Sequence, residues 1–247
     1  MDRLIYTALT SMNAAMNRQR AVANNLANAS TPGFRGEVFA VTSATLKDGS
    51  IEARALAKGN VRGADMTTAR INTTGQPLDL AVQGDALLAY QSPEGGEYYS
   101  RRGDLRVTAT GVLENGEGLA VLGVGGGPIT VPQGFRISIG EDGSVLATDP
   151  AAPNVPAEAV DQIKLVSPEG TMLAKGIDSF LKVPGGGVLP PDPTARVTTG
   201  ALEGSNVETA ETLVDMIDAQ RAFEQRARII KTAGELDEAS SRLMSMR

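Results

Sequence analysis

The two ends of the chain carry apolar residues at the spacing of a helical seam, and the stretch between them does not. Ile5, Ala8, Met12, Ala15, Gln19, Val22 and Leu26 follow one another at alternating intervals of three and four. That spacing sets them along one face of a helix with Gln19 as its polar member. The run stops at Ser30-Thr31-Pro32-Gly33, because a residue before proline is pushed out of the α region and glycine accepts a left-handed backbone. The helix is therefore expected to end near Ala29. At the other end, Ser205 and Glu208 have the spacing of a capping box, and Glu211 stands where a carboxylate favours the positive helix end. Leu213, Met216, Phe223, Ala227 and Ile230 then keep heptad spacing through polar Gln220, with Ala233, Leu236 and Leu243 continuing after a slip in phase near Gly234. A single amphipathic terminal helix is ordinarily the buried face of its own domain. Two of them bracketing a β region leave apolar surface wet unless neighbouring chains cover it, which points to a subunit of a polymer.

From about Thr73 to Arg196 the pattern turns to short alternating or apolar runs broken by glycine-bearing turns, the signature of a β region. Four hairpins are expected. Leu78 to Val82 would pair with Ala86 to Tyr90 around Gln83-Gly84-Asp85, and the latter run would continue through Ser92-Pro93-Glu94-Gly95 to Tyr98. Ile163 to Val166 would pair with Met172 to Ala174 around Ser167-Pro168-Glu169-Gly170. Phe135 to Ile139 would pair with Val145 to Ala147 around Gly140-Glu141-Asp142-Gly143. Gly123 to Gly127 has no lysine in Walker spacing and reads as a β-turn rather than a phosphate cradle. Glu141-Asp142-Gly143 lacks the further oxygen ligands of a calcium loop and reads as a hairpin tip. Glu94, Glu97, Asp104 and Glu114 read as surface charges.

Composition narrows the chemistry. A chain of 247 residues, 41% hydrophobic and 21% charged, can bury a real core. It has no cysteine and no histidine, which removes disulfides, thiolate and imidazole metal sites, and Cys-His or Ser-His-Asp catalysis. No cofactor is expected, and no enzyme. The net charge of -6 and the absence of tryptophan argue against a nucleic-acid surface. No run is long enough for a stable membrane span, and the opening Met1-Asp2-Arg3-Leu4-Ile5-Tyr6 has no signal-peptide character.

Three segments carry a family resemblance. Ala23-Asn24-Asn25-Leu26-Ala27-Asn28-Ala29-Ser30-Thr31-Pro32-Gly33-Phe34-Arg35 resembles the N-terminal signature of the flagellar rod and hook family. Gly75-Gln76-Pro77-Leu78-Asp79-Leu80-Ala81-Val82-Gln83-Gly84-Asp85 resembles its entry into the β domain. Leu202-Glu203-Gly204-Ser205-Asn206-Val207, leading into Met216-Ile217-Asp218-Ala219-Gln220-Arg221-Ala222-Phe223-Glu224, resembles its tail. The opening residues and the modest length are most similar to a proximal-rod member, with a distal-rod member as the near alternative. One departure lies at Ala86-Leu87-Leu88, where family members often carry Gly-Phe-Phe.

The resemblance implies a structural subunit of the flagellar basal-body rod that is exported unfolded, without a cleaved signal, through the flagellar type III apparatus. It further implies assembly with itself and with other proximal and distal rod proteins in a shaft spanning the periplasm. The expected fold is α+β, with long N- and C-terminal helices forming a coiled-coil-like arm and a central, mainly antiparallel β domain. The expected parts are a discontinuous helical rod core over 1–35 and 200–247, an extended linker region over 36–72 and the β domain over 73–199. The expected assembly interface comprises Ile5, Ala8, Met12, Ala15, Val22, Asn24, Asn25, Leu26 and Asn28 at the front, and Met216, Ile217, Gln220, Phe223, Ile230, Leu236 and Leu243 at the back. Asn24 and Asn28 are one helical turn apart, where their amides can bond carbonyls or a neighbouring chain, or be solvated at a fraying end. Phe34 and Val38 match the spacing of a family export signal, or pack the helix-to-β junction. From a different class, the β region could be a peptidoglycan-binding or carbohydrate-active module with the helices as a dimerisation arm.

Overall fold

A computed structural model describes the backbone over residues 2–48, 51–152, 155–176 and 179–245, with side chains over these ranges except 2–6, 42–60, 62, 236–238 and 240–245. The chain forms two compact units. The first comprises Met1–Ala27, Glu37–Gly63 and Glu208–Arg247, and the second Asn28–Gly36 and Ala64–Val207.

In the first unit, helix α1 (Asp2–Ala27) is followed by strands β1 (Glu37–Asp48) and β2 (Ile51–Ala64), which pair with each other, and by helix α2 (Thr209–Ser245). The stretch expected as an extended linker thus holds two long strands. Helix α1 ends two residues before the expected Ala29. The predicted capping box at the start of α2 does not form. The Ser205 hydroxyl accepts the Val207 N–H at 3.2 Å instead, and the Glu208 carbonyl accepts the first helical bond, from Thr212 N at 3.0 Å. The neighbouring Asn206 side chain is committed to the second unit, which holds this segment out of helical geometry until Glu208.

The second unit contains short strands, β3 (Ile71–Thr73), β4 (Leu80–Val82), β5 (Leu87–Gln91), β6 (Glu97–Ser100), β7 (Leu105–Val107), β8 (Leu113–Asn115), β9 (Arg136–Ile139), β10 (Ser144–Thr148), β11 (Glu158–Gln162), β12 (Leu165–Val166), β13 (Ala174–Lys175), β14 (Leu181–Lys182), β15 (Val197–Thr199) and β16 (Ala201–Glu203). Every resolved ladder among them is antiparallel. The fold is α+β. Its largest sheet runs β12-β5-β6-β14-β13.

Two expected hairpins are present, β5–β6 and β9–β10. Two are not. β4 pairs with β15 rather than β5, and the Arg101 guanidinium takes the carbonyls of Val82 at the end of β4 and of Gly84 and Ala86 on the connecting segment. β12 pairs with β5 rather than with β13, which pairs with β14. Leu165 and Val166 are thereby buried, as their apolarity favours. Glycines 123 to 127 form the expected turn, with Gly123 N bonded to Gly127 O at 2.8 Å. At the tip of β9–β10, Asp142 accepts from the Ser144 N–H at 3.0 Å and hydroxyl at 2.6 Å. These bonds hold its carboxyl below the usual range.

Strand β5 explains the Ala86-Leu87-Leu88 departure. Its side chains alternate between faces, so that Leu88 and Tyr90 enter the larger core with Leu80, Leu113, Val145 and Ile163, while Leu87 and Ala89 enter a smaller one with Tyr99, Val166 and Leu181. Both faces are dry, and a continuous apolar run is what such a strand needs.

Candidate assembly surface

Within the first unit, α1 and α2 pack on each other over a seam of small side chains. Ala8, Ala14, Ala15, Ala21 and Val22 of α1 are buried, as are Thr212, Ala219 and Ala233 of α2. On α2 the covered positions include 212, 216, 219, 223, 226, 230 and 233, at intervals of four and three, with Asp215, Ala222 and Ala227 half-covered beside them. The seam is displaced from the line drawn by spacing alone, since Leu213 and Gln220 are exposed and Ala219 is buried. Alanines let the backbones approach closely. Arg18 and Asp215 meet across the seam at 3.6 Å, half-exposed and worth at most about 1 kcal/mol. A cavity of about 410 Å³ opens between the helices and β1, lined by alanines with Arg18, Asn25, Glu37 and Arg226 at its polar edge.

The signature asparagines fix where β1 leaves the helix. Asn25 reads the Glu37 backbone at both ends, its Oδ1 accepting the N–H at 2.7 Å and its Nδ2 donating to the C=O at 3.1 Å. Asn24 Nδ2 donates to the Glu37 carboxylate. A side-chain amide presents the same donor and acceptor as a peptide unit, so Asn25 stands in for a strand partner at the first residue of β1. Sequence reasoning missed Glu37 at this junction, since nothing local marks its pairing with a helix twelve residues back.

The other expected interface residues divide clearly. Ala8, Ala15 and Val22 are buried. Met12, Asn24, Asn25, Leu26, Met216, Phe223 and Ile230 are half-buried, and Ile217 and Gln220 are exposed, Gln220 donating to Glu224 at 3.3 Å. Asn28 belongs to the second unit, where its Oδ1 accepts the Thr31 hydroxyl at 3.2 Å. The side chains of Ile5, Leu236 and Leu243 lie outside the described residues. Phe34 is buried, with the Lys175 ammonium 3.7 Å from its ring centroid, whereas Val38 is exposed.

In the second unit the N-terminal and C-terminal signatures are joined through one carboxylate. Glu203 Oε1 accepts from Arg35 Nη2 at 2.8 Å and from the Ala69 N–H at 2.8 Å, and Oε2 accepts from Arg101 Nε at 2.5 Å. All three charged side chains are buried. Burial pushes the Arg35 guanidinium below its usual value, and the Glu203 carboxylate pulls against that shift. Asn206 completes the junction, accepting the Gly36 N–H at 2.7 Å and donating to Asp65 O at 2.9 Å. Gly33 has φ +66°, and a β-carbon there would lie 2.3 Å from the Arg101 carbonyl carbon. Neither Glu203 nor Asn206 stood out in the sequence except as letters of a motif.

Of the four acids read as surface charges, Glu94 is exposed and the other three face a cation. Glu97 takes the buried Lys164 ammonium at 2.7 Å, Asp104 takes Arg102 at 2.7 Å and Glu114 takes Arg106 at 2.7 Å. Among the described residues no group of three metal-ligating side chains converges, and no helix is long and apolar enough to cross a membrane.

An alanine-rich helical seam, and helices that leave apolar residues in water, are features of a structural subunit with faces for neighbours to cover. Three family descriptions match in chain order, "Flagella basal body rod protein" over residues 5–35, "Flagellar hook protein FlgE/F/G D1 domain" over 81–147 and "Flagellar basal body rod FlgEFG protein C-terminal" over 198–243. The flagellar basal-body rod protein FlgF of Salmonella typhimurium is 38% identical over 252 residues, with 100% of both chains covered. FlgF of Escherichia coli is equally similar, at 38% over 252 residues and 100% of both chains. The flagellar basal-body rod protein FlgG of Bacillus subtilis is 27% identical over 261 residues, covering 96% of this chain and 97% of its own. The chain belongs to the flagellar basal-body rod protein family, and its role is that of a structural rod subunit rather than an enzyme.

Proposed function

We propose that the chain is a proximal-rod subunit that polymerises through α1 and α2, its helical parts forming the rod core as a coiled-coil-like arm. The rod it builds crosses the periplasm and transmits torque, in contact with its own copies and with other rod proteins. The observation that carries this reading is the apolar surface of the helices: Leu9, Met16, Leu213, Val214, Ile217 and Ile229 are all exposed in a single chain. Surface of that kind on both helices of one unit is costly in water and is explained by neighbours that cover it. The greater identity to FlgF than to the FlgG relative favours the proximal over the distal position.

The test uses a residue that contributes little to folding of the single chain. Ile217→Asp should leave the helical circular-dichroism signal unchanged and abolish both swimming and recovery of the chain in purified basal bodies. Normal swimming would show that the helices are not the assembly surface.

Export through the type III apparatus belongs to the same proposal. Phe34 and Val38, four positions apart, can enter one apolar groove while the chain is unfolded. Phe34→Ala with Val38→Ala should reduce secreted relative to cytoplasmic protein in cells blocked before rod assembly. Undiminished secretion would leave the burial of Phe34 as the whole account of that residue.

A further inference from the structure

Asn115 and Gly116 form the one Asn-Gly pair in the chain. In an unfolded chain such a pair loses its side-chain amide readily, because glycine puts no β-carbon in the way of ring closure. The Gly116 N–H gives up its proton, the nitrogen bonds to Asn115 Cγ, and Nδ2 leaves as ammonia. Water then opens the cyclic imide at either carbonyl, leaving aspartate or, with one more carbon in the main chain, isoaspartate. The fold uses both residues as they stand. Asn115 ends β8 fully buried, and its Oδ1 accepts the N–H groups of Glu117 and Leu119, each at 3.0 Å. Its own N–H donates to Leu119 O at 2.9 Å, and its C=O accepts from Gly118 N at 2.9 Å. Gly116 admits no side chain, since a β-carbon there would overlap the Asp104 carboxylate and the Arg102 guanidinium.

We propose that Asn115-Gly116 is a self-modification site gated by folding, which deamidates while the chain is unfolded, is shut in the folded protein, and weakens the fold once it has reacted. Closing the ring would pull Oδ1 off both of its donors and turn a peptide that two further bonds hold in place. Loss of the amide from the folded chain therefore waits on opening of this turn. The products do not fit the site. Aspartate at 115 would bring a charge to a fully buried position, where one carboxylate oxygen keeps the two N–H donors and the other replaces Nδ2, which has no hydrogen-bond partner. Isoaspartate would lengthen the main chain inside a turn that the bonds at 117, 118 and 119 fix. The site lies in the second unit, and its behaviour does not depend on assembly.

The full, unaltered chain would be held at mildly alkaline pH in buffer alone and in unfolding urea, and the amide-to-acid mass change at Asn115 followed in its peptides. Deamidation should be roughly tenfold or more faster in urea. A mixture of aged and fresh chains would then be brought to the urea midpoint and digested briefly, which removes unfolded molecules. Deamidated chains should be depleted several-fold among the survivors. Asn115→Asp, made directly, should have a lower urea midpoint than the unaltered chain. The inference is overturned if the amide is lost as fast in buffer as in urea, if deamidated and intact chains survive digestion equally, or if Asn115→Asp matches the unaltered chain.

Discussion

Arg101 Nε donates to Glu203 Oε2 at 2.5 Å although the two residues are 102 positions apart, and the other end of the same carboxylate holds Arg35. Arg101 also donates to the carbonyls of Val82, Gly84 and Ala86. One buried anion thus serves two buried cations, and the segments following α1 and preceding α2 are held at a common point. Glu203→Gln keeps the shape but leaves two guanidiniums without a counter-charge. Removing one partner of a buried ionic group costs about 3–5 kcal/mol. Urea unfolding of the full chain should show a loss of that size, and a loss below about 1 kcal/mol would mean that water replaces the carboxylate.

Gly33 should tolerate no side chain. Its φ of +66° alone costs an L-residue about 1–2 kcal/mol, and the β-carbon would also overlap the Arg101–Arg102 peptide. Gly95 has φ +88° with nothing within 4 Å of a built β-carbon. Gly33→Ala should therefore lower the unfolding midpoint well beyond Gly95→Ala. Equal effects would show that the segment at Gly33 can move aside.

Asn25 bonds both the N–H and the C=O of Glu37. Asn25→Asp keeps the acceptor and loses the donor, whereas Asn25→Ala loses both, at about 0.5–1.5 kcal/mol for each bond lost in this half-buried setting. The order of stability by thermal melting should be Asn, then Asp, then Ala. If Asp and Ala are equivalent, the bond to the Glu37 N–H contributes nothing.

Alkaline pH should unfold the second unit through its tyrosines. Burial pushes the Tyr99 phenol up to about 12, with its hydroxyl donating to Glu97 and accepting from Leu189 N. The folded state therefore keeps a proton that the unfolded chain releases near its ordinary value of about 10. Stability from this group is complete below about pH 10 and is lost as pH rises towards 12. Tyr90, raised further by burial, adds to the same loss. The urea midpoint should fall from pH 9 to 12, and less steeply in Tyr99→Phe. Parallel slopes would mean that Tyr99 titrates normally.

Periodicity and turn chemistry are local, and they were legible in the residues. The spacing from Ala8 to Val22, the stop at Thr31-Pro32-Gly33 and the tips at Gly95 and Gly143 depend on neighbours within a few positions, where backbone geometry decides. The family resemblance was likewise carried by short runs such as Asn24-Asn25-Leu26. What local sequence could not fix was choice among equivalent partners. β4 had a good turn and an apolar strand beside it, yet Arg101 took the carbonyls along the connection and Val197–Thr199 became its neighbour. The seam on α2 could be drawn through Leu213 or through Thr212, because Leu213, Val214, Met216, Ile217 and Ala219 offer apolar positions in several directions, and only packing against α1 buried Ala219 and left Ile217 in water. Glu203 was one acid among many until folding brought two guanidiniums to it, since a long-range ion pair leaves no periodic trace in the chain.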